Sequence, residues 1–161
     1  MAASVTARLA ELGLELPQPF TAPPGVALPF ENVRLSGKRA YLSGHGPMDG
    51  STTLISGKVG AEVSPDRAYE AARLTAMSML ASLQQELGDL DRVRRWIKAL
   101  VLVNCAPGFN NTPLVANGFS DLILELWGKP GRHARSAIGV AELPFDISVE
   151  IEAIVELRPA S

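Results

Sequence analysis

Residues 132–152 read RHARSAIGVAELPFDISVEIE, and this stretch decides the fold. It sets Arg135 at the start of one apolar run and Glu150 inside the next, with Leu143-Pro144-Phe145-Asp146 between them as a turn. Onward from Ile147, the residues Val149, Ile151, Ala153, Val155 and Leu157 alternate with Ser148, Glu150, Glu152, Ile154 and Glu156. A period of two belongs to a strand with one apolar face and one mostly acidic face. Two runs about a turn read as a β-hairpin. Arginine is well built to grip a carboxylate, because its planar fork donates two parallel hydrogen bonds. A glutamate on a neighbouring strand can handle a proton or orient a water. The same two residues also read as a structural ion pair across the hairpin, the commoner arrangement.

Upstream, residues 97–103 form a continuous apolar run, as in a strand buried on both faces, ended by Pro107-Gly108. Pro113 opens a helix over 113–126, capped by Thr112, with Val115, Phe119, Leu122 and Leu126 facing inward. A longer helix spans 65–87: Ser64 suits the N-cap, Pro65 the first position, and Gly88 the end. Residues 32–35 and 39–42 read as short strands about Ser36-Gly37-Lys38. Ser43-Gly44-His45-Gly46-Pro47 follows as a glycine-rich loop, then a strand over 52–59. Residues 3–13 suggest a short amphipathic helix, and five prolines within 17–29 an extended connector.

The expectation is one domain over 1–161: an N-terminal helix and connector over 1–27, then a core over 28–158. Its class is α+β, a mixed sheet with two helices packed on one face. No third long helix covers the other face, so oligomerisation is expected.

The chain is 47% apolar with a formal charge of −2, which favours a packed core and disfavours nucleic acid as main partner. Arg92, Arg94 and Arg95 make the densest basic cluster, and no basic stripe appears. No apolar run reaches the ~18 residues of a membrane span, and no signal-peptide pattern opens the chain. A cytoplasmic protein is expected. Cys105, the single cysteine, reads as a small buried hydrophobe. No zinc, Walker or dinucleotide motif is present. His45 and His133 are each conceivable general bases, but lone loop histidines are more often solvent-exposed or locally bonded. Asn104, Asn110, Asn111 and Asn117 read as turn chemistry or as the polar rim of a pocket.

The 132–154 segment resembles the signature of the Rid family, the YjgF-like reactive intermediate deaminases also labelled endoribonuclease L-PSP. Ala134-Arg135-Ser136, Val140, Leu143-Pro144 and Glu150-Ile151-Glu152-Ala153 match its motif at unbroken spacing. Leu42-Ser43-Gly44 resembles its S-G-Q loop, and Asn117 its N-x-x-Y segment. The resemblance covers about residues 28–157 and implies a chorismate-mutase-like homotrimer with pockets between subunits. It implies hydrolysis of enamines and imines such as 2-aminoacrylate to 2-keto acids and ammonia, without metal or cofactor. Arg135 then binds the substrate carboxylate, Glu150 positions the attacking water, and Ser43 sits beside the imine. Gly44, His45, Phe30 and Asn117 complete the implied pocket. Phe30 replaces a family tyrosine, and His45 the glutamine of S-G-Q. A non-catalytic trimer that binds small carboxylates is the alternative, and an endoribonuclease the disfavoured one.

Overall fold

The computed structural model describes residues 3–160. Helix α1 (Val5–Glu11) is capped by Ser4, whose hydroxyl accepts from the Ala7 N–H. Strands β1 (Val33–Ser36) and β2 (Arg39–His45) form the expected hairpin. Next come the two-residue strands β3 (Met48–Asp49) and β4 (Thr52–Thr53). The strand expected over 52–59 stops at Thr53. Beyond it Gly57 and Gly60 adopt φ of 111° and 93°, and only isolated bridges at Ser56 and Val59 remain.

Helix α2 (Pro65–Leu87) has the bounds its punctuation dictates. Ser64 accepts from the Arg67 N–H at 3.2 Å, and Gly88 closes the helix at φ 75°. Strand β5 (Val93–Asn104) is followed by α3 (Thr112–Trp127), β6 (Ala134–Val140) and β7 (Val149–Leu157). Thr112 does not cap α3. Asn111 holds that position without a side-chain bond, while the Thr112 hydroxyl donates to the Ala137 carbonyl and fastens the helix to β6.

The sheet order is β1-β2-β7-β5-β6, with β5 and β6 parallel and every other pair antiparallel. β6 and β7 are therefore not a hairpin. The β5–α3–β6 unit is a parallel crossover, which sets β6 outside β5 and leaves the inner side of β5 for β7. Helices α2 and α3 cover one face, over Val149, Ile151, Val155, Ala99 and Val101. They cross at Gly118, where a Cβ would lie 2.0 Å from the Tyr69 carbonyl oxygen, so only glycine permits this approach. β5 is buried on that face alone. Lys98 is exposed, and Leu100 and Leu102 half-buried, on the other. That second face also shows Tyr41 and Ile138 to solvent.

Candidate functional site

Arg135 lies on the edge strand β6 in register with the buried Ala99, so its side chain faces the helices. Helix α3 meets it with one stripe of positions spaced four and three apart, Pro113, Asn117 and Ser120. Arg135 Nη1 donates to Asn117 Oδ1 and to Ser120 Oγ, each at 3.0 Å. Nη2 has only a 3.5 Å contact to the Pro113 carbonyl. Ser120 in turn lies 3.0 Å from His133 Nε2, and His133 Nδ1 lies 2.7 Å from the Gly131 carbonyl. Burial lowers the His133 pKa; the Gly131 carbonyl opposes this and the Arg135 charge adds to it. Ser120 and His133 thus belong to the arginine's surroundings. His133 is therefore not a lone histidine, and the signal for Ser120 in the sequence is its place three positions after Asn117, on the same helix face.

Glu150 is elsewhere. It pairs with Leu102 on β5 and points to the face away from the helices. Within one chain Arg135 and Glu150 sit on opposite faces with β5 between them, so the ion pair across a hairpin does not exist. Burial, with a smaller contribution from the Glu152 charge, raises the Glu150 pKa. Its carboxylate lies over Gly44: a Cβ there would come within 2.7 Å of Glu150 Oε1.

Ser43 is the next residue along. Its hydroxyl donates to the Glu31 carbonyl at 2.6 Å. Ser43 also lines a shallow depression of about 620 Å³ with Leu28, Pro29, Phe30, Glu31 and Arg34. Phe30 is 52% exposed there. Gly44 and Glu150 are thus in contact, Ser43 and Phe30 line the depression beside Gly44, and Arg135 and Asn117 form a separate group.

His45 departs from expectation. Ser43-Gly44-His45 is the end of β2, not a loop, and a bulge between Leu42 and His45 turns the histidine inward. The ring is 1% exposed, bonded to Ser82 Oγ at 2.8 Å and to the Ser43 carbonyl at 2.6 Å. Burial pulls its pKa down, against the Ser43 carbonyl bond. His45 is thus a core residue that braces β2 on α2, with no face left for a ligand.

Asn104 is likewise fully buried. It accepts from Lys58 Nζ at 2.9 Å and donates to Asp146 Oδ1 and the Ile147 carbonyl. It pins the turn in which Phe145 and Asp146 hold φ of 56° and 55°. Cys105 is half-buried, its thiol pKa raised mainly by burial. Among the described residues, no group of three or more His, Cys, Asp or Glu could hold a metal ion. No helix there is long and apolar enough to cross a membrane.

A five-stranded mixed sheet with two helices laid on one face defines a chorismate-mutase-like α+β protein. Within that class the chain belongs to the YjgF/Rid family. The family model described as "YjgF/chorismate mutase-like, putative endoribonuclease" matches residues 6–157, the proline connector included. Protein TCP17 of Trypanosoma cruzi is 42% identical over 155 residues, covering 96% of this chain and 94% of the relative. The crystal structure of Atu1372 from Agrobacterium tumefaciens, a protein of unknown function, is 41% identical with a TM-score of 0.86, covering 96% of this chain and 94% of that one. A "putative endoribonuclease" from Shewanella oneidensis is 28% identical with a TM-score of 0.88, covering 96% and 100%.

Proposed function

We propose that this chain hydrolyses reactive imines and enamines of amino acids to 2-keto acids and ammonia, at sites shared between the subunits of a homotrimer. The single observation that carries the reading is the division of the site. A guanidinium held by α3 at one sheet edge and a half-buried carboxylate on the opposite face cannot serve one ligand within a chain. They can do so only if the β6 edge of one copy meets the β1–β2 side of the next. The uncovered sheet face, with Tyr41 and Ile138 exposed, supports association.

In this reading Arg135 takes the substrate carboxylate and fixes the imine carbon relative to a water on Glu150. The imine carbon is already electrophilic, so positioning and one base suffice. Water adds to the carbon as Glu150 accepts one of its protons and passes it to the imine nitrogen, which gives a neutral carbinolamine. Glu150 then takes the carbinolamine hydroxyl proton and hands it to the amine, so that ammonia leaves as the C=O of the keto acid forms. A carboxyl whose pKa is raised by burial is better matched to this exchange than a solvated one.

Phe30 favours a second reading, a trimer that binds small carboxylates without turnover, because a phenyl ring offers no hydroxyl to the substrate nitrogen. One experiment separates the two. 2-Iminopropionate is generated in situ by an amino-acid oxidase and trapped by semicarbazide. An active wild type lowers semicarbazone formation, and Glu150→Gln loses the effect while it still binds 2-keto acid. A wild type without effect that still binds 2-keto acid through Arg135 selects the binding protein.

A further inference from the structure

The sequence shows no basic stripe, yet folding assembles one basic depression. Five of the chain's 15 lysines and arginines line a single hollow of about 410 Å³. They are Arg94 and Arg95 at the start of β5, Lys129 and Arg132 between α3 and β6, and Arg158 after β7. Trp96 lines it too, and its indole N–H is buried without a hydrogen-bond partner. No aspartate or glutamate is among the lining residues.

From this hollow we infer a binding site for a small phosphate-bearing anion, separate from the Arg135 site.

Backbone geometry accounts for part of the clustering. The register of β5 against β7 shifts between Val93 and Arg95, so Arg94 and Arg95 share one partner residue, Glu156. Its two carboxylate oxygens meet Arg94 Nη1 at 3.2 Å and Arg95 Nε at 2.8 Å. One carboxylate therefore fixes two guanidiniums and leaves an excess of positive charge. Arg158 is held by its Nη1 bond to the Asp91 carbonyl at 2.9 Å. Lys129 and Arg132 make no ion pair among the described residues.

Gathering five cations without an equal number of anions costs free energy through repulsion and adds nothing to the core. An anion offsets that cost. Guanidinium forks suit phosphate oxygens, and a phosphate carries about two negative charges against the one of a carboxylate. The hollow has the ~300–1,000 Å³ size of small-molecule sites. A chain of formal charge −2 gives no extended track for a polyanion. Arg135 is not among the lining residues, because its guanidinium is turned to α3.

The test is calorimetric titration of the full chain with pyrophosphate at low and high salt. We expect saturable binding of one pyrophosphate per chain that weakens as salt rises. The exposed double variant Lys129→Glu/Arg132→Glu should bind at least about tenfold more weakly, or ~1.4 kcal/mol. Arg67→Glu, an exposed charge reversal on α2, should change affinity little. Light scattering and circular dichroism establish that both variants keep the wild-type assembly and fold. The proposal is overturned by non-saturating binding, by equal loss in Arg67→Glu, or by loss that occurs only with subunit dissociation. Binding of single-stranded RNA that tightens with its length and exceeds that of pyrophosphate would also overturn it, in favour of a nucleic-acid surface. Displacement of pyrophosphate by 2-keto acid would assign the hollow to the Arg135 site.

Discussion

Ser120 Oγ lies 3.0 Å from Arg135 Nη1 and 3.0 Å from His133 Nε2. A guanidinium only donates, so the hydroxyl accepts from Arg135. The Gly131 carbonyl only accepts, so His133 carries a proton on Nδ1, and burial lowers its pKa in favour of the neutral ring, whose Nε2 accepts the Ser120 hydrogen. Both Nη1 hydrogens of Arg135 are committed, to Asn117 and Ser120, which leaves the Nε–Nη2 edge to meet a carboxylate.

Ser120→Ala is therefore expected to weaken 2-keto acid binding about tenfold, near the low end of the ~1.5–3 kcal/mol of a hydrogen bond to a charged group. Ser120→Thr should restore most of it, since the hydroxyl returns. Nitrogen chemical shifts should report the Nδ1–H tautomer of His133 in the wild type and in Ser120→Ala alike, because the Gly131 carbonyl still holds that proton, with the Nε2 resonance shifting as its bond to the hydroxyl is lost. Equal affinities in all three proteins would remove Ser120 from the site.

Gly44 is expected to be as important for rate as Arg135 is for binding. A methyl at this position lies within 2.7 Å of Glu150 Oε1, and the flexible carboxylate is what gives way. Gly44→Ala should fold normally and bind 2-keto acid as the wild type does. Its deaminase rate should fall by roughly 10²-fold, the cost of about 1 Å of misplacement. Calorimetry beside the semicarbazide assay separates the two effects.

The sequence made some of this legible because local chemistry speaks for itself. Ser64, Pro65 and Gly88 punctuate α2, and the alternation from Val149 to Leu157 marks β7 and assigns Glu150 to its acidic face. Arg135 and Glu150 could be selected by motif. That they face opposite ways could not be read. It depends on β5 pairing with both β6 and β7, and a turn at Leu143–Asp146 looks the same whether or not its flanking strands pair. His45 was hidden by the β2 bulge, which shifts the alternation by one residue after Leu42. The basic hollow was hidden because Arg95, Arg132 and Arg158 are remote in sequence and meet only in the fold.

The pH profile of turnover follows from the Glu150 environment. Burial first, and the Glu152 charge second, raise its pKa, so the carboxylate ionises at higher pH than an ordinary glutamate. A base must be ionised to accept the water's proton, so the rate should rise through a limb set above the ordinary glutamate pKa. Glu152→Gln removes the like charge and should move that limb to lower pH, with the plateau rate little changed. A limb that stays in place would mean that another group controls the rate.

Mixing two inactive variants tests the shared site most directly. Arg135→Ala retains Glu150, and Glu150→Gln retains Arg135, so in the proposed homotrimer each variant lacks one half of every site. If each site takes its guanidinium from one subunit and its carboxylate from the neighbour, mixed trimers contain intact sites. Random assembly of equal amounts makes about a quarter of the interfaces wild-type, because two independent halves must both be intact. Co-refolded or co-expressed variants should therefore recover about a quarter of the wild-type deaminase activity, whereas proteins mixed without subunit exchange should recover none. If the two residues served one site within a single chain, no mixture could rescue the other's defect. Activity that stays at the level of the separate variants, in trimers shown by mass spectrometry to be mixed, would reject the interface site.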